Sequence, residues 1–139
     1  MKILILNGPN LNLLGQREPH IYGSDTFEAY FEKLKATFPD QTLTYAQSNH
    51  EGQLVDHIHQ AEKDQDGLVI NGAAYTHTSV ALADALKAVS LPTVEVHISN
   101  IFQREEFRHH SFLSPVVDGM ITGLGLKGYA LAIRYLLDR

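Results

Sequence analysis

The sequence predicts a three-layer α/β fold, a five-stranded parallel sheet with helices on both faces. Three observations lead there. Short apolar runs recur five times along the 139 residues, and helix-compatible stretches separate them. Runs such as LVI and VEV are continuous rather than alternating, which suits strands covered on both faces.

The strands are expected at Ile3 to Leu6, Leu43 to Ala46, Leu68 to Ile70, Val94 to Val96 and Val116 to Ile121. Between the first two, Phe27, Tyr30, Phe31, Leu34 and Phe38 recur at helical spacing, with an Asp25-x-x-Glu28 cap signal before them and Pro39 after. Further helices are expected over Gln53 to Lys63, Ser79 to Val89 and Gly128 to Leu137. In the last of these, Leu131, Tyr135 and Leu136 should share one face. Asn7 to Ser24 is the one long irregular connection, a length usual for lids and binding loops.

Composition narrows the function. With 44% hydrophobic and 19% charged residues and no linker or repeat, residues 1 to 139 should form one globular domain. The net charge is −5 and the eleven Lys and Arg are scattered, so a nucleic-acid or anionic-membrane partner is not expected. No apolar run approaches the roughly 20 residues of a membrane span. Met1 leads at once into the strand-like KILILN rather than a signal-peptide layout, so a cytoplasmic location is expected. The absence of Cys removes thiol nucleophiles, thiolate metal sites and disulfides.

In parallel sheets of this kind ligands bind beyond the carboxyl ends of the strands, where strand order reverses. Strand one runs into Asn7-Gly-Pro-Asn10, then Gly15, Arg17, Pro19, Tyr22 and Gly23, a hinge-punctuated segment that fits a lid. After strand three come Asn71 and His77, with Thr78 or Ser79 placed to cap the next helix. Strand four ends in Glu95-Val-His97-Ile98-Ser99-Asn100, where alternation puts Glu95 and His97 on one face. Arg104 to Ser111, read alone, is a solvated face of mixed charge. Together the clusters make a site of Tyr, Arg, His, Asn and Ser, suited to handling protons and carboxylates.

Other signals point elsewhere and are weaker. Gly123-Leu-Gly125-Leu-Lys-Gly128 is a literal G-x-G-x-x-G, but no acidic residue about 20 positions on follows to hold a ribose, so it reads as a tight strand-to-helix turn. His57 and His59 diverge around a helix, and a catalytic zinc takes about three protein ligands. Pro9 has no N–H to offer a flavin phosphate.

The blocks GPNLNLLG (Gly8 to Gly15), REPHIYG (Arg17 to Gly23), NGAAYTHTS (Asn71 to Ser79), EVHISN (Glu95 to Asn100) and REEFRHHS (Arg104 to Ser111) occur in order. They resemble the type II 3-dehydroquinate dehydratases over nearly the whole chain, and GLGLKGYALAIRYL is similar to that family's final turn and helix. Gly72 and Ala83 depart from the family, which often has Pro or Ala at the first position and Arg at the second.

The resemblance implies a flavodoxin-like fold and elimination of water from 3-dehydroquinate, without metal or other cofactor, through an enolate to 3-dehydroshikimate. The reaction serves aromatic amino-acid biosynthesis by the shikimate route, or quinate catabolism. It implies Tyr22 as base, Arg17 as the cation favouring its phenolate, His97 as proton donor to the leaving hydroxyl with Glu95 supporting its ring, and Asn10 beside the enolate. Asn71, His77, Ile98, Ser99 and Arg108 then match substrate-binding positions. Asp84 matches a residue reaching a neighbouring subunit's site in a homododecamer built from trimers. Two alternatives are a flavodoxin-like flavin-binding or signalling module and a catalytically dead assembly protein. A yellow protein would favour the flavin reading, and retention of Tyr22, Arg17 and His97 together argues against the dead enzyme.

Overall fold

The structure is a computed structural model that describes residues 1–16, 18–22 and 24–139, with the side chain of Tyr22 outside the description. Five strands alternate with helices: β1 (Lys2–Asn7), β2 (Thr42–Gln47), β3 (Gly67–Asn71), β4 (Thr93–His97) and β5 (Gly119–Thr122). The helices are a short α1 (Pro19–Tyr22), then α2 (Phe27–Thr37), α3 (Glu51–Asp64), α4 (Val80–Ala88) and α5 (Lys127–Asp138). The strands form one parallel sheet in the order β2-β1-β3-β4-β5. The order reverses between β1 and β3, the crevice where ligands bind in open α/β sheets.

Alternation along the strands builds the two cores. Ile3, Ile5, Val69, Val94 and Val96 face α2 and α5, against Phe27, Leu34, Tyr129, Ala132, Ile133 and Leu136. Leu4, Leu6, Leu68 and Ile70 face α3 and α4, against Leu54, Ile58, Leu82 and Leu86. Both faces of β1 and β3 are thereby dry, which explains their uninterrupted apolar sequence. The expected fold class and the order of elements agree with this architecture.

Four local expectations change. The fifth strand starts at Gly119 rather than Val116, because Ser114–Val116 form a 3-10 turn with Pro115 in its first positions. Proline starts such a turn readily and has no N–H for a ladder, and Val116 and Val117 pack against the α3–α4 core instead. Helix α2 is capped by Thr26, whose side chain accepts from Ala29 N at 3.2 Å, while Asp25 faces Lys33 at 3.9 Å. On α5 the buried stripe is Tyr129, Ala132, Ile133 and Leu136, and Leu131 and Tyr135 are 44% and 45% exposed. Apolar residues sat at helical spacing on two faces of this helix, and packing against β4 and β3 selected one. The connection from Asn7 to Ser24 carries a 3-10 turn at Leu11–Leu13 as well as α1.

The glycine-rich segment is the strand-to-helix turn that its spacing implied. Gly123 and Gly125 have φ of 87° and 63°, the left-handed region that glycine enters without strain. Their N–H groups bond to the carbonyls of His97 and Ile98 at 3.2 and 3.0 Å, tying this turn to the end of β4.

Candidate active site

Glu95 and His97 lie on the same face of β4 because they are two residues apart in a strand. Glu95 is fully buried and His97 is 4% exposed. His97 Nε2 stands 2.7 Å from Glu95 Oε2. Two serines from the connection after β4 complete the carboxylate. Ser111 Oγ lies 3.1 and 2.8 Å from the two Glu95 oxygens, and Ser114 Oγ donates to Oε1. Ser111 Oγ also accepts from Leu113 N and Ser114 N, both at 3.0 Å, so its single proton is directed at Glu95.

Burial by itself would raise the Glu95 pKa, but hydrogen bonds and charge from His97, with the Ser114 and Ser111 hydroxyls, outweigh it and hold the carboxyl below its ordinary range. An ionised Glu95 accepts only, so His97 carries a proton on Nε2 and its Nδ1 is left for the cleft. A proton on Nδ1 makes the ring an imidazolium beside a carboxylate, a proton donor with its counter-charge built in.

The sign of the Glu95 shift sets an acid-stability expectation. A carboxyl held low in the fold contributes stability that is complete above its unfolded value, about 4.3, and lost as pH falls through the lower folded value. The gap in Tm between wild type and Glu95→Gln should therefore narrow below about pH 4.3. A gap unchanged through acid would mean that Glu95 is already protonated in the fold.

A cleft of about 560 Å³, including its mouth, opens over His97. Asn10 reaches it from the loop after β1, Asn71 and His77 from the end of β3, and His97, Ile98 and Ser99 from the end of β4. Arg104 and Arg108 close its outer side. His77 Nδ1 lies 2.8 Å from the carbonyl of His110, an acceptor only, so that nitrogen carries the proton and Nε2 offers a lone pair. Burial lowers the His77 pKa, and the charges of His97 and Arg108 add to this against the opposing His110 carbonyl and Glu95. His77 is thus neutral at neutral pH, stacked on His97 with centroids 6.1 Å apart.

The non-glycine residues Asn10 and Ala73 hold φ of 68° and 51° beside this cleft. Such positions cost roughly 1–3 kcal/mol and tend to mark functional sites. Asn10 is steadied by its N–H bond to Asn49 Oδ1 at 3.0 Å, and Asn49 is in turn held by Gln47 Nε2 at 3.1 Å. Gly72 is suited to this chain's own packing, since a Cβ there would lie 2.5 Å from Thr76 Oγ1 and 2.9 Å from Leu113 Cδ1.

Of the residues expected at the site, Asn10, Asn71, His77, His97, Ile98, Ser99 and Arg108 line this one cleft, and Glu95 supports it from below. Arg17 lies outside the described residues, as does the side chain of Tyr22. Asp84 sits on the exposed face of α4, away from the cleft of its own chain. Arg104 lines the cleft, and Ser111 and Ser114 hold Glu95 beneath it, three residues that the motifs do not single out. Arg104 and Ser111 bound the block that, read alone, is a solvated face, and Ser114 opens the 3-10 turn just before the expected fifth strand.

A family profile described as Dehydroquinase class II matches residues 1–137. The chain belongs to the class II dehydroquinases. It is 61% identical over 135 residues to the 3-dehydroquinate dehydratase of Streptomyces avermitilis, covering 94% of this chain and 84% of that one. It is 57% identical over 137 residues to the enzyme of that name from Bacillus pumilus, covering 97% and 93%. Its fold superposes on the type II dehydroquinase of Butyrivibrio crossotus with a TM-score of 0.96 at 49% identity, over 99% of this chain and 97% of that one. The resemblance read from the motifs holds, and with it the flavodoxin-like dehydroquinase fold and the status of an enzyme. Family membership disfavours the flavin-binding or signalling module.

Proposed function

We propose that the chain, acting as one catalytic domain over residues 1–139, eliminates water from 3-dehydroquinate to give 3-dehydroshikimate, in the shikimate route or in quinate catabolism. The observation that carries this is the buried Glu95–His97 pair facing a cleft that gathers the polar residues at the family's motif positions. The Tyr22 phenolate, favoured by Arg17, takes a proton from the carbon beside the ring ketone, and the electron pair left behind forms an enolate. Asn10 stabilises the new negative charge on oxygen. As the enolate collapses to the conjugated enone, the neighbouring carbon–oxygen bond breaks and His97 Nδ1 delivers a proton, so the hydroxyl leaves as water. Arg108 offers a fork to the substrate carboxylate, while Asn71, His77, and Ile98 and Ser99 by their backbone, hold the carboxylate and ring hydroxyls.

The scheme needs no metal, cofactor or nucleic acid. Among the described residues no three His, Asp or Glu side chains group as a metal site, and no helix is long and apolar enough to cross a membrane. We place the enzyme in the cytoplasm as a homododecamer of trimers, where the exposed Asp84 would complete a neighbouring subunit's site. The direct test follows ultraviolet absorbance of the conjugated enone as purified protein meets 3-dehydroquinate, with a chelator present and nothing added. Steady growth of that absorbance is expected; no growth, or growth only when a divalent ion is restored, would overturn the scheme.

A further inference from the structure

We propose that Tyr129, on the buried face of α5, is a positioning residue for substrate binding, its hydroxyl setting which way the Asn71 amide faces in the cleft. The inference rests on the dehydratase reading of that cleft. Asn71 ends β3 and lies beside Asn7 in the β1–β3 register, at the place where strand order reverses. Tyr129 reaches both. Asn71 Nδ2 donates to Tyr129 Oη at 2.9 Å, and Tyr129 Oη donates to Asn7 Oδ1 at 2.8 Å.

The direction of this chain starts from a backbone group that has no choice. Ala73 N–H, 3.0 Å away, can only donate, so the Asn71 atom facing it is Oδ1. Nδ2 then faces Tyr129, the phenol accepts from it, and the single phenolic proton goes to Asn7. A flipped Asn71 would set two donors against each other at Ala73 and take the phenolic proton from Asn7. One orientation is therefore strongly preferred. It leaves one N–H and one lone pair of Asn71 for a substrate hydroxyl.

Nothing in the apolar packing asks for this hydroxyl. The Tyr129 ring makes an edge contact with Phe27, centroids 4.9 Å apart, which a Phe ring would also make. A buried hydroxyl is costly unless bonded, and this one spends its bonds on two strand ends, one of them in the cleft. Without it, Asn71 keeps only the Ala73 anchor among the described residues. An amide that binds substrate alike in the ground state and transition state then shows its loss in KM rather than kcat.

The test compares wild type, Tyr129→Phe, Asn71→Ala and the double variant in steady-state turnover of 3-dehydroquinate. Tyr129→Phe should raise KM on the order of tenfold with kcat little changed. In the Asn71→Ala background the same change should shift KM by less than about twofold, because its effect passes through Asn71. A KM unmoved by Tyr129→Phe, or an effect that persists undiminished without Asn71, would overturn the proposal. If Tyr129→Phe fails to fold, Asn7→Ala takes its place: the phenol, losing its acceptor, no longer has its proton held away from Asn71 and fixes the Nδ2 side less firmly, so KM should rise again, only while Asn71 is present. The Asn71 side-chain amide resonances in isotope-labelled protein give a readout apart from activity. They should shift in Tyr129→Phe, or in Asn7→Ala where that stands in, and unmoved resonances would also overturn the proposal. Wild type inert toward 3-dehydroquinate would instead defeat the functional reading, with the amide resonances still deciding the role of Tyr129.

Discussion

Replacing His97 by Ala is expected to lower kcat by about 10²- to 10⁴-fold while changing KM far less. The geometry argues for an effect of that size. Glu95 takes up Nε2, so the nitrogen left for the cleft is the one able to carry a transferable proton. Alanine removes that proton and, among the described residues, leaves the Glu95 carboxylate its two serine donors. A buried anion short of one partner costs on the order of 1–3 kcal/mol, so the variant should also melt earlier. Kinetics measured well below that melting point separate the two effects. His97→Gln keeps a donor in reach of Glu95 but has no proton to give. It should recover stability without recovering turnover. A loss confined to KM in either variant would make His97 a binding residue and require another proton donor.

Tyr22→Phe is expected to abolish turnover and leave substrate binding nearly intact. A free tyrosine, with a pKa near 10, is only about 0.1% ionised at neutral pH, so a tyrosine base depends on its surroundings. Lowering that pKa by about two units takes roughly 2.7 kcal/mol of differential interaction, within the range an adjacent guanidinium supplies. Arg17 stands five residues earlier in the same motif block, and Tyr22 closes the short helix α1. The phenyl ring preserves shape and removes only the oxygen that takes the proton. Binding measured by calorimetry should therefore persist while enone formation stops. Appreciable turnover by the variant would exclude Tyr22 as the base.

Much of the molecule is legible in its residues. Continuous apolar runs marked β1 and β3 as strands covered on both faces, and strand alternation alone put Glu95 beside His97. The motif blocks after each strand named seven residues that the fold brings to one cleft. What local pattern missed lies where a distant partner decides. Nothing local singles out Ser111 or Ser114, because the carboxylate they serve is 16 and 19 positions away. The buried face of α5 is not legible locally because two sets of apolar residues have helical spacing, and only contact with the sheet chooses between them.

Residue order and identity were enough for the order and kind of the main elements, for the family, and for the residue types gathered at the cleft. These follow from backbone propensity, period and side-chain identity, which act over a few positions. Which atoms meet depends on the folded arrangement. The ionised state of Glu95, the tautomers of His97 and His77, and the bond from Tyr129 to Asn7 across 122 positions arise from burial and hydrogen-bond direction, which exist only once distant segments share the same space.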